Sequence, residues 1–276
     1  MNNLFRHSFF NTTLQTFTAM CALSLIIVSC TKQENYQQPT PPAAGASVLS
    51  AAGDSATIIG TINAFRKLIG DSLNTTTGKT GGRREVNWDA VPATFTNADN
   101  FPLDFFNSTD PVDPPGRKRG LVMVAENNNF RVDSTHFSAI DPSYDSQFGV
   151  FSKKRLFAPA GGHISTAVFK VPGTSTDASV KGFGVIFCDV DSESSTSIEY
   201  FDGNKSLGVF KAAAHPAGGN FSFLGVYFKS DSVTRVRITT GNATLSAGVK
   251  DVSDGGNKDL VVMDDFFYSE PQAILQ

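Results

Sequence analysis

Beyond residue 115 one short apolar stretch follows another, and this succession limits the fold more than any other feature. The stretches are Arg119–Ala125, Ile164–Val171, Val180–Val190, Thr196–Phe201, Ser206–Lys211, Phe221–Phe228, Val233–Thr239 and Leu260–Tyr268. Turn-forming clusters such as Asp202-Gly203-Asn204 and Pro216-Ala217-Gly218-Gly219-Asn220 divide them, with no helical period between. Strands joined so briefly run antiparallel, which predicts a two-sheet sandwich or barrel and excludes a parallel sheet flanked by helices. Phe is abundant, with 24 residues against one Trp and five Tyr, as a packed interior requires. In Val180–Val190, Phe183, Val185 and Phe187 alternate with Ile186, Cys188 and Val190, so both faces are apolar and the strand is central, with Cys188 a core residue.

One helix is predicted. Ile58, Ile62, Phe65 and Ile69 recur at helical spacing, Arg66 and Lys67 fall in the last turn, and Gly70 stands as the C-terminal cap. Gly70 also begins Gly70-Asp71-Ser72-Leu73, four letters shared with a class of serine esterases, and Asp133-Ser134-Thr135-His136 resembles the Asp-x-x-His pair of their triad. In that class the Ser follows a buried strand on a sharp turn. Here it follows a helix, the Asp-x-x-His pair sits mid-chain, and no Gly-x-Asn-Asp block occurs, so a hydrolase using Ser72 is only the alternative to a non-catalytic protein.

The N-terminal segment, residues 1–29, has no acid, one Arg (Arg6) and an apolar run, Ala19 to Val28, too short to span a bilayer. It ends in Leu25-Ile26-Ile27-Val28-Ser29-Cys30, which resembles a bacterial lipobox. Cys30 is thus the expected lipidation site, each buried methylene of its acyl chains contributing about 0.8 kcal/mol to membrane attachment. Residues 30–52, polar and proline-rich, read as a flexible tether, and 53–276 as a single β domain. The expected location is the bacterial envelope, anchored through lipid at the outer membrane. With Cys21 removed and Cys30 acylated, Cys188 is alone, so no disulfide forms within the mature chain. The net charge of −3, more negative without Arg6, argues against a nucleic-acid partner, because phosphate binding needs a basic surface.

Two acidic groups interrupt apolar strands. Asp189 and Asp191 are two apart at a strand end, and Asp264 and Asp265 lie inside Val261-Val262-Met263-Asp264-Asp265-Phe266-Phe267-Tyr268. Alternation places one of the latter pair in the core, and a buried carboxylate must be hydrogen-bonded, paired or metal-bound. One reading is backbone N–H groups or pairing with Arg83 or Arg84; the other is a structural Ca²⁺ held by Asp189, Asp191, Asp264 and Asp265. The lack of a dense Asp-x-Asp-x-Asp-Gly loop favours the first. His136, His163 and His215 have no zinc-ligand spacing.

Three segments together, Gly81-Gly82-Arg83-Arg84-Glu85-Val86-Asn87-Trp88-Asp89, Gly182 to Asp191 and Val262 to Pro271, resemble an uncharacterised group of exported bacterial proteins. The closing strand with its Asp pair is similar to the last strand of jelly-roll carbohydrate-binding and galactose-binding-like modules, some of which hold Ca²⁺. The resemblance implies an all-β, jelly-roll-like antiparallel sandwich with one short N-terminal helix, acting as a binding or structural module for a glycan or an envelope protein. Asp54-Ser55-Ala56, Asp71-Ser72-Leu73, Asp133-Ser134-Thr135 and Asp231-Ser232-Val233 resemble O-glycosylation acceptors of Bacteroidetes exported proteins, which makes Ser55, Ser72, Ser134 and Ser232 candidates. A glycosidase built on the acidic cluster is the second form of the hydrolase alternative.

Overall fold

The computed structural model describes residues 45–125, 129–215 and 220–274. Cys30, the signal segment and most of the tether lie outside them. In chain order the elements are β1 (Ala46–Gly53), α1 (Ser55–Ile69), β2 (Arg83–Val86), β3 (Leu121–Ala125), β4 (Phe130–Asp133), β5 (Leu156–Pro159), β6 (Ile164–Phe169), β7 (Ala178–Ser179), β8 (Gly182–Cys188), β9 (Ser197–Asp202), β10 (Lys205–Lys211), β11 (Phe221–Phe228), β12 (Arg235–Thr239), β13 (Val262–Ser269) and β14 (Gln272–Ala273). The tether ends earlier than predicted: residues 46–53 pair antiparallel along their whole length with β11, giving their backbone the partners a tether lacks.

The fold is the predicted all-β sandwich. One sheet has the order β1-β11-β8-β13-β5-β4, with β2 also on β13, and the other runs β10-β9-β12-β6-β3. The pairs β9–β10, β8–β11, β6–β12 and β5–β13 are the rungs of one long antiparallel ribbon folded over so that successive pairs fall in opposite sheets. That is the strand order of a jelly roll.

The larger sheet is buried on both sides, as the apolar-on-both-faces sequence of β8 requires. Phe183, Val185 and Phe187 face the sandwich interior with Phe266, Tyr268 and Ile198, whereas Ile186 and Cys188 face a second core beneath α1. The helix contributes Ile58, Ile62, Phe65 and Ile69 to that second core, the four residues its period predicts. Asp54 caps its start by accepting from Thr57 N at 2.8 Å, and the Gly70 N–H closes its end on the Arg66 carbonyl. Phe65 lies over the facing pair Gly184 and Gly225, where an added Cβ would meet its ring at 2.9 Å, so the glycines make the seat for the helix. No helix among the described residues is long and apolar enough to cross a membrane.

The arginines of β2 have partners other than the core aspartates. Arg84, fully buried, meets Glu270 in a two-pronged pair at 2.7 Å and donates to the Thr76 carbonyl, while Arg83 and Arg66 both hold Glu85.

Candidate functional site

Three loops converge where β8 ends. Strand alternation stops at Cys188, because Asp189 takes a left-handed backbone with φ of 67°. The following Val190 therefore returns to the sandwich interior, with Phe187, rather than to the face of Cys188. Asp189 and Asp191 are thus brought together by a loop and not by the strand period. The third member is Asp251, which the sequence reading missed. One carboxylate oxygen from each of Asp189, Asp191 and Asp251 lies within 4.8 Å of the others.

Each acid is held differently. Asp251 is buried and fixed, one oxygen accepting from Ser253 N and Oγ at 2.8 Å and the other from Leu260 N at 2.6 Å. Its turn, Asp251-Val252-Ser253-Asp254-Gly255-Gly256, is tight enough that a Cβ on Gly256 would stand 2.1 Å from the Lys250 carbonyl. Asp259 secures the opposite loop by accepting from Ser192 N at 2.9 Å and from the Ser195 hydroxyl. Asp189, by contrast, is wholly buried with neither carboxylate oxygen hydrogen-bonded, and the half-buried Asp191 is equally unpartnered. Burial first and the Asp251 charge second push Asp189 up to about 8, and burial first, then the contact with the Asp251 carboxyl and its charge, push Asp191 to about 7.

Asp264 and Asp265 do not join this group. The register shifts between Met263 and Phe266, so β13 carries a bulge there, and alternation no longer sends one Asp in and one out. Both are buried. Asp264 accepts from Phe151 N at 2.6 Å and Ser152 Oγ at 2.9 Å, and Asp265 from the same hydroxyl at 2.6 Å. Burial, then the neighbouring Asp265, drives Asp264 well above the ordinary carboxylate range.

The residues of the esterase-like pattern are engaged elsewhere. Asp133 accepts from Arg131 Nε, Thr135 N and Phe137 N, and His136 Nδ1 meets the Asp145 carbonyl at 3.0 Å. Ser72 is an exposed loop residue after α1. Among the glycosylation candidates, Ser55 and Ser72 are exposed, Ser232 is half-buried, and Ser134, also half-buried, bonds to Asn97.

A recess of about 210 Å³ opens beside β2, with Trp88, Phe105, Phe106 and Pro114 among its walls and Arg117 and Arg119 beside them. Trp88 is a core residue, stacked on Phe157 at 3.8 Å and donating its indole N–H to the Asp264 carbonyl. Arg117 lies 4.4 Å over the Phe105 ring, and Arg119 donates to the Glu85 carbonyl at 2.8 Å. Compared with known protein families and with curated proteins, the chain matches none.

Proposed function

We propose that this chain is a lipid-anchored, non-catalytic module of a bacterial envelope that binds a glycan or an envelope protein. The observation carrying the binding role is the recess beside β2. It joins aromatic walls to guanidinium groups, a combination suited to the apolar face and hydroxyls of a sugar ring or to an apolar side chain with a polar neighbour. Its one carboxylate, Glu85, is spent on Arg66 and Arg83, which leaves the recess without a general acid or base. Anchoring rests on the lipobox-like segment ending at Cys30, and the non-catalytic reading on the separate engagement of Asp133 and His136.

The sole Trp reports on the recess directly. Titration with envelope oligosaccharides should shift or quench Trp88 emission, and Arg117→Ala should weaken the response about tenfold or more, the loss of a hydrogen-bonding cation. Emission unmoved by any glycan, together with no photo-crosslink from the recess to an envelope protein, would sink the binding reading. Labelling by a fluorophosphonate that disappears in Ser72→Ala would replace it with the hydrolase.

A further inference from the structure

We propose that Asp189, Asp191 and Asp251 form a divalent-cation site, filled by Ca²⁺, that ties the loop after β8 to the loop before β13. The site is independent of the recess and of what binds there. A buried carboxylate without a hydrogen bond or counter-charge is costly, and Asp189 has neither. None of the ion pairs among the described residues includes Asp189, Asp191 or Asp251. Three acidic side chains therefore converge with no basic side chain to balance their ionised forms.

A second observation points into the same space. Gln147 is buried, its amide Nε2 has no partner at full hydrogen-bonding distance, and from there it acts on Asp189 only as a weak donor that favours the ionised form. A half-turn of that amide exchanges nitrogen for oxygen and would present Oε1 beside the carboxylates, as a cation would select. The donor set is then oxygen only, which suits a hard cation and not zinc or copper. Coordination habit separates the common hard ions: Mg²⁺ demands near-ideal octahedral geometry and gives up its waters reluctantly, whereas Ca²⁺ accepts an irregular shell of carboxylates and carbonyls, which suits three carboxylates gathered from two loops. Asp251 keeps a free lone pair after its three hydrogen bonds, and the half-exposed Asp191 leaves room for water to complete the shell.

The test uses the full chain in detergent, stripped with EDTA, freed of chelator and unfolded by heat at fixed ionic strength with CaCl2 or MgCl2. At a hundredfold excess over Kd, Ca²⁺ should raise the midpoint by about 5–10 °C, and Mg²⁺ by less. Asp189→Asn should lose this shift, yet unfold without metal at or above the wild-type midpoint, because it replaces a buried carboxyl that is costly to ionise beside two other acids. A merely structural Asp189 would instead give a lower midpoint in both conditions. Asp191→Asn, at a half-exposed position, is the second variant should the first fail to fold, and it should abolish the shift as well. Asp264→Asn should retain it. No shift in the wild type up to about 10 mM Ca²⁺, above the range of weak extracellular sites, would overturn the proposal. So would a full shift in Asp189→Asn or Asp191→Asn, which would place the ion elsewhere.

Discussion

Arg84 has no exposure to solvent, so its charge is tolerable only because Glu270 lies against it and Thr76 and Lys118 offer carbonyls. Glu270→Ala should therefore cost about 3–5 kcal/mol in urea unfolding, with little dependence on salt, because it strands a buried guanidinium. Asp133 gives the opposite linkage to the acids near β8. Burial alone would raise it, but Arg131 and the N–H groups of Phe137 and Thr135 outweigh that and hold it below the ordinary carboxylate value. A depressed folded value means stabilisation that is complete above the unfolded value, near 4, and lost as pH falls through the folded one. Asp133→Asn should lower the unfolding midpoint at neutral pH and flatten its decline on the acid side. An unchanged acid limb would mean that other carboxylates set it.

At the scale of elements, α1 depends on one ring. Phe65 packs edge-on to Phe223 at 5.4 Å and rests over Gly184 and Gly225, which have no side chains to close in behind it. Phe65→Ala should cost about 3–5 kcal/mol, measured by denaturant unfolding, since the glycine seat cannot collapse into the gap. The helix was legible because its period, cap and stop signals agree. The strands β3, β6 and β8 to β13, except where β13 bulges, were legible because each runs long enough to show an apolar pattern between turns. β5, Leu156-Phe157-Ala158-Pro159, was not: four residues buried on both faces show no alternation, and Pro159 argues against a strand. The site was half legible. Asp189 and Asp191 stood out as acids at the end of an apolar strand, but Asp251 is far away in sequence and meets them only through the fold. Its signal was local, an Asp-Val-Ser-Asp-Gly-Gly turn shortly before the last long strand, of the kind that fixes a carboxylate by its own backbone. The bulge at Asp264 and Asp265 could not be read, since a period of two assumes an uninterrupted ladder.

Across the whole molecule, jelly-roll order makes the decisive pairings distant in sequence. β13 must find β5 and β8, and β1 must find β11, before either core can close. Loop closure on that scale comes before its reward, so folding should be slow, in milliseconds to seconds. The proposed cation site lies at the ends of this process and not at its start. Asp189 and Asp191 follow β8, Asp251 precedes β13, and their loops take up position only once those neighbouring strands have paired. Contacts that form after the transition state act on unfolding and leave folding alone. Stopped-flow measurements on the full chain should accordingly show Ca²⁺ slowing unfolding by nearly the whole factor by which it raises the equilibrium constant, with the refolding rate unchanged. If Ca²⁺ accelerates refolding instead, the two loops meet early, and the junction of β8 with β13 is where the jelly roll begins to fold.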